Sequence, residues 1–212
     1  MHIKQATYLI SSPSVEKCPP ADKPEYAFIG RSNVGKSSLI NLICNNSKLA
    51  KTSAAPGKTQ LINHFEITSV PSPAGHNESK WYLVDLPGYG FAKTSLSDRR
   101  RWQQMTENYL RKRSNLTMVF VLIDARHTPQ KSDLSFIQQL NQWQVPYTIL
   151  FTKADKEKQA VVSKNVQLFL NALRSTQQFL PQHIVTSSIK KTGREKILQV
   201  IDELNITFNS TE

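Results

Sequence analysis

One octapeptide limits the fold of this chain more than any other feature: Gly30-Arg31-Ser32-Asn33-Val34-Gly35-Lys36-Ser37, which fits GxxxxGKS. A short apolar run, Tyr26 to Ile29, leads into it, and a helix-prone stretch, Ser38 to Ile43, leaves it. A strand, a loop and a helix in that order form the setting in which this pattern cradles phosphate. Gly30 and Gly35 let the backbone curl until several N–H groups converge, and the positive end of the following helix adds to them. Lys36 then sets a cation against the β- and γ-phosphates, and the Ser37 hydroxyl can ligate Mg²⁺. Ser38 completes the expected phosphate-contacting run.

The remaining apolar runs extend the same architecture. Gln60 to Thr68 alternates around Leu61, Phe65 and Ile67, as a strand does. Trp81 to Val84 is short and apolar, and Met118 to Ile123 is apolar at every position, the signature of a strand covered on both faces. Tyr147 to Phe151 and Ile184-Val185 complete six expected strands. Helical spacing appears over Asp133–Trp143, Val161–Leu173 and Glu195–Leu204. Strands alternating with helices predict an α/β domain with a mostly parallel six-stranded sheet and helices on both faces. Residues 1–24, with prolines at 13, 19, 20 and 24, are expected to form an extended leader. The domain proper is expected over 25–206 and a tail over 207–212.

Composition excludes several other classes. No apolar run approaches the roughly 20 residues of a membrane helix. The patch Ala6 to Ile10 lacks the length and cleavage pattern of a signal peptide. Cys18 and Cys44 lie 26 positions apart without CxxC spacing, so a reducing, cytoplasmic setting is expected and a metal clip is not. None of the five histidines pairs at metal-ligand spacing.

Three further motifs follow the P-loop in order. Asp85-Leu86-Pro87-Gly88 ends a strand and fits DxxG; the aspartate can hold the Mg²⁺ shell through water, and the Gly88 N–H can meet the γ-phosphate. Thr152-Lys153-Ala154-Asp155 resembles the guanine reader NKxD, with Thr in the place of Asn. The Asp155 carboxylate has two acceptors for the N1–H and 2-amino group of guanine, a donor pair that adenine lacks. A site built on such bonds discriminates strongly, because the wrong base leaves a buried carboxylate unpaired. The Lys153 stem is expected along the base plane, and Thr152 to make a thinner contact than the usual amide. Thr186-Ser187-Ser188 looks like the fifth element, whose backbone N–H meets the guanine O6. Between the first helix and DxxG, the mobile-loop threonine that completes the Mg²⁺ shell is best sought at Thr59, with Thr52 as competitor. Gly57, Lys58, Gln60 and Leu61 around Thr59 join the expected phosphate contacts. Lys36, Thr59 and Gly88 are the expected catalytic set.

Ordered in this way, the motifs point to a single Ras-like P-loop GTPase domain. More narrowly, the P-loop with Ser38-Leu39-Ile40-Asn41, Pro56-Gly57-Lys58-Thr59-Gln60, Asp85-Leu86-Pro87-Gly88-Tyr89-Gly90-Phe91-Ala92 and Thr152-Lys153-Ala154-Asp155 resemble the EngB family of bacterial GTPases over roughly residues 5–205. The resemblance implies a switch acting in assembly of the large (50S) ribosomal subunit, with a link in some bacteria to septation. Its implied partners are GTP, GDP and a large-subunit precursor.

Two features bear on mechanism. Ras-like switches place a water-orienting Gln directly after DxxG, where this chain has Tyr89. Slow intrinsic hydrolysis is therefore expected, on the order of 10⁻⁴ per second. Related GTPases with Asn at the position of Asn33 can bind K⁺, which suggests K⁺ beside Mg²⁺ as a cofactor. The chain also carries 27 basic and 16 acidic side chains, a net charge of +11 that favours polyanionic partners. Lys93 to Arg113 concentrates seven basic against two acidic side chains directly after DxxG. Trp102, Met105 and Tyr109 are expected to turn inward, leaving Arg99, Arg100, Arg101, Arg111, Lys112 and Arg113 towards RNA. A monomer is expected. The competing readings are a P-loop small-molecule kinase, which would not need Thr-Lys-Ala-Asp, and an RNA-modification GTPase of a sister family, which would carry an extra domain.

Overall fold

Every residue of β2 (Glu25–Gly30) is buried, and so is the second half of β5 (Leu116–Asp124). Strands so apolar are stable only when helices cover both faces. In the computed structural model, which describes residues 1–50, 60–70, 78–90 and 96–210, that is how they lie. The sheet order is β1-β3-β4-β2-β5-β6-β7. β4 (Ser79–Asp85), β2, β5, β6 (Tyr147–Thr152) and β7 (His183–Val185) run parallel. β1 (His2–Ser12) and β3 (Ile62–Val70) extend one edge antiparallel.

Alternation along β2 divides the core. Tyr26 and Phe28 pack with Leu39, Ile40 and Ile43 of α1 (Lys36–Ile43) and Ile197, Leu198 and Ile201 of α5 (Arg194–Asn209). Ala27 and Ile29 face the other way. Their layer holds Trp102, Met105 and Tyr109 of α2 (Leu96–Lys112), Phe136 and Ile137 of α3 (Lys131–Gln142) and Val166 and Phe169 of α4 (Gln159–Arg174).

Among the described residues the sheet has seven strands rather than six. The extra one, β1, lies in the segment expected to be a leader and pairs with β3 from His2↔Val70 to Ser12↔Ile62. As an edge strand it is held by backbone bonds, and most of its side chains stay exposed, so the burial pattern that betrays inner strands is absent. At the other end α5 continues to Asn209, past the expected tail boundary at 207.

Parallel strands bring their carboxyl ends to one side. Gly30, Asp85, Asp124, Thr152 and Val185 close β2, β4, β5, β6 and β7 there. In open α/β sheets this is the crevice where ligands bind.

Candidate functional site

The loop between β2 and α1 is shaped by its glycines. A Cβ on Gly30 would meet the Leu122 carbonyl oxygen at 2.8 Å, so only glycine lets the loop leave β2 so close to β5. Gly35 caps α1 with φ 100°, and Asn33 is also left-handed at φ 62°. Such left-handed turns let backbone N–H groups converge ahead of a helix. Ser32, Asn33 and Ser38 are exposed, and Ser37 is half-buried at the first turn of α1.

Lys36 reaches across from this loop to the end of β4. Its ammonium meets the Asp85 carboxylate and the Leu86 carbonyl oxygen. Leu86 is itself fixed by its N–H to the Phe28 carbonyl at 3.0 Å. The first and second phosphate motifs are thereby joined through one cation. Ser37 and Asp85 together offer a hydroxyl and a carboxylate, the hard oxygen donors that suit Mg²⁺.

The base-reading motif is bonded to the phosphate loop as well. The Thr152 hydroxyl donates to the Val34 carbonyl at 2.6 Å, so it is committed to the P-loop and not aimed at a base. Lys153, left-handed at φ 59°, lays its stem over Gly35 and donates to the Asn33 carbonyl and to Asp124 Oδ2. Asp155 accepts the Ser187 hydroxyl at 2.6 Å, the main cause of a carboxyl held below its usual range. The Ala154 N–H donates to the Thr186 carbonyl at 3.1 Å, and the Lys190 N–H donates to Ser187 Oγ at 3.0 Å. The loops after β6 and β7 thus form one unit in which Ser187 aims Asp155.

Sequence reasoning did not single out Asp124. Burial pushes its carboxyl up, but Arg126, through paired bonds of 2.9 and 2.8 Å, and Lys153 outweigh that and hold it at about 2. It is a fixed anion under the Lys153 ammonium. Its only local signal is an acid at the end of an apolar strand.

Some expected site residues lie elsewhere. Gln60 and Leu61 line a cavity of about 170 Å³ with Pro13, Arg101 and Trp102, against α2. Gly57, Lys58, Thr59 and the competitor Thr52 lie outside the described residues, as does Lys93. On α2 the stripe Trp102, Met105 and Tyr109 is buried as expected. Arg100, Arg101, Arg111 and Lys112 are exposed, although Arg111 is paired with Glu107 at 2.8 Å. Arg99 is half-buried and lines a cavity of about 240 Å³ with Gly88, Tyr89 and Phe136.

Arg113 corrects the expectation of an RNA-facing side chain. It turns inward and donates to Glu25 at 2.6 and 3.0 Å and to the Pro19 carbonyl at 2.7 Å. A carboxylate buried as completely as Glu25 demands a cation, and the Tyr109 hydroxyl at 2.6 Å adds a further donor.

This chain is similar to several known proteins. Residues 25–153 match the family described as 50S ribosome-binding GTPase. The "Probable GTP-binding protein EngB" of Phocaeicola vulgatus is 50% identical over 205 residues, covering 97% of this chain and 98% of that protein. A crystal structure of a probable GTP-binding protein engB superposes with TM-score 0.59 at 21% identity, over 86% of this chain and 99% of that one. The structure of Era in complex with MgGDPNP and nucleotides 1506–1542 of 16S ribosomal RNA gives TM-score 0.65 at 21% identity, over 85% of this chain and 56% of that one. At that identity the last two are likenesses of fold.

Proposed function

This chain belongs to the EngB family of GTP-binding proteins, and on that footing we propose that it is a slow, Mg²⁺-dependent GTPase switch acting on precursors of the large ribosomal subunit. GTP binding and the GTPase domain come with the family. The single observation that supports the placement of the nucleotide is the bond from Thr152 to Val34, which ties the base-reading loop to the phosphate loop. The triphosphate lies along residues 30–38 with Lys36 on its β/γ end and Gly88 at the γ-phosphate. Gly57, Lys58 and Thr59 are the further phosphate contacts of this reading. Guanine lies against Asp155, flanked by Lys153 and by the 186–188 loop. Ser37, Thr59 and, through water, Asp85 would hold Mg²⁺, which would supply neutralising charge to the phosphates.

Lys36 occupies the Asp85 carboxylate in the structure, so phosphate must draw the lysine off that carboxylate. Asp85 then becomes available to the metal shell. Tyr89 cannot orient the attacking water as an amide does, which leaves turnover slow. A K⁺ ion held near Asn33 would supply charge compensation that Tyr89 does not.

The exposed arginines of α2, next to the γ-phosphate loop, suit a phosphate backbone. They support RNA of a pre-ribosomal particle as the partner; a cytoplasmic monomer is the form proposed here. A link to septation would follow from defective ribosome assembly; filaments on depletion that restored ribosome levels do not cure would count against that order of events. Displacement of a fluorescent guanine nucleotide tests the core of the reading. GDP should displace it and ADP should not, whereas equal displacement by both rejects the base assignment. Sedimentation with GTP, GDP or a non-hydrolysable analogue tests the partner: association with 50S-sized particles should depend on the nucleotide.

A further inference from the structure

Tyr89 follows the γ-phosphate glycine directly, and its surroundings are unusual for a loop residue. Its ring stacks on Phe136 of α3, with centroids 4.3 Å apart and planes at 18°. Its backbone forms a parallel β-bridge with Arg31 of the P-loop. The Arg31 side chain in turn reaches α3, with Nε 3.1 Å from Asp133 Oδ1. Asp133 is 1% exposed. The Tyr89 hydroxyl is also buried, and both it and the Asp133 carboxylate oxygens lack a well-formed hydrogen bond. Burial first, and then the nearby Asp133 carboxylate, push the Tyr89 phenol well above its usual range. Burial likewise raises Asp133 against the pull of Arg31 and Tyr89.

These contacts hold one short segment at both ends. At its start, Asp85 belongs to β4 and the Leu86 N–H is bonded to β2. At its end, Tyr89 is held to α3 and the P-loop. Gly88 lies between the two anchors. Gly90 then leaves at φ 76°, a turn that glycine takes without strain, and a Cβ there would sit 3.8 Å from the Arg31 side chain.

We propose that Arg31, Asp133, Tyr89 and Phe136 form a clasp that fixes Gly88 beside the phosphate loop, making Asp133, Tyr89 and Phe136 positioning residues for recognition of the γ-phosphate. The proposal rests on the GTP reading above. In this arrangement Gly88 presents its N–H from a segment that is already ordered, so the cost of ordering it is not charged against GTP binding. Because GDP has no γ-phosphate, the clasp acts on the preference for GTP over GDP and leaves the affinity for GDP alone.

The test is calorimetry of Asp133→Asn, Tyr89→Ala and Tyr89→Phe with GDP and with the non-hydrolysable analogue GppNHp, alongside single-turnover hydrolysis at saturating GTP. Asp133→Asn and Tyr89→Ala should lower GppNHp affinity by about fivefold or more, with GDP affinity within about twofold of wild type. Tyr89→Phe keeps the stacked ring and should retain most of the preference. An unchanged preference in Asp133→Asn and Tyr89→Ala overturns the clasp. So does a parallel loss of both affinities, which a merely structural role would give. A drop in the saturated rate with both affinities intact also overturns it, by making Tyr89 act on the reaction itself. Should Tyr89→Ala fail to fold, Asp133→Asn and Phe136→Leu decide the matter by the same criteria. Wild-type protein that takes up neither nucleotide rejects the underlying reading and the clasp together; wild-type protein that binds both, with variants of unaltered preference, rejects the clasp alone.

Discussion

Thr152 Oγ1 lies 2.6 Å from the Val34 carbonyl oxygen, across 118 positions of sequence. Together with the Lys153 bond to the Asn33 carbonyl, this bond ties the Thr152–Asp155 loop to the P-loop. Thr152→Val keeps the side-chain shape and leaves a buried carbonyl unpartnered. It should cost about 1–3 kcal/mol of stability and weaken GDP binding. Urea denaturation and calorimetry measure the two effects, and an unmoved midpoint would contradict the role given to the hydroxyl.

Glu25 ties the end of α2 to the sheet through Arg113, Tyr109 and His64. Removing one partner leaves an uncompensated buried charge, so Arg113→Ala should lower stability by about 3–5 kcal/mol. Native gel filtration and denaturant melts would show it.

The same cluster sets an acid limit. Burial raises the Glu25 carboxyl, but His64, Arg113 and Tyr109 outweigh it and hold it at about 2, against the usual 4.5. A carboxyl depressed on folding gives stability that is complete above pH 4.5 and is lost as pH falls towards 2. Melting temperatures across that window should fall in wild type and fall less steeply in Glu25→Gln, which starts lower at neutral pH. Parallel curves would contradict the assignment.

The basic face of α2 can be separated from its buried end. Replacing Arg100 and Arg101 with Ala should weaken RNA association and reduce the slope of log K against log salt by roughly 1.5–2, as expected for two lost phosphate contacts. GTP affinity should hardly change. Arg113→Ala, at matched temperature below its melt, should leave that slope alone. Filter binding from low to moderate salt distinguishes them, and an unaltered slope in the double variant removes α2 from the interface.

If K⁺ sits near Asn33, GTP turnover should be faster in KCl than in NaCl at equal ionic strength, and Asn33→Ala should abolish the difference. A steady-state phosphate assay measures both. Equal rates in the two salts would remove K⁺ from the mechanism.

Much of this fold is readable in the sequence, for identifiable reasons. β2 and β5 are covered on both faces, so their apolar runs are unbroken; α2 shows its buried stripe at Trp102, Met105 and Tyr109. β1 has no such signal, because edge pairing needs backbone groups and leaves Tyr8, Leu9 and Ile10 exposed. In the candidate site the contiguous motifs could be found because each is a local loop at a strand's end. Relations between loops could not. Nothing near Thr152 names Val34 as its acceptor, and nothing near Asp133 names Arg31. Arg113 looks like one more member of a basic run until Glu25, 88 positions away, is placed beneath it.

The most direct test replaces the base reader itself. In the proposed base site Asp155 would accept both donors of guanine, whereas an Asn there would accept N1–H and donate to the 2-oxo group of xanthine. Titration calorimetry of Asp155→Asn should show GDP binding lost and xanthosine diphosphate binding gained, with neither protein taking up ADP. Retention of GDP by the variant, or comparable heats for ADP and GDP in wild type, would contradict the account.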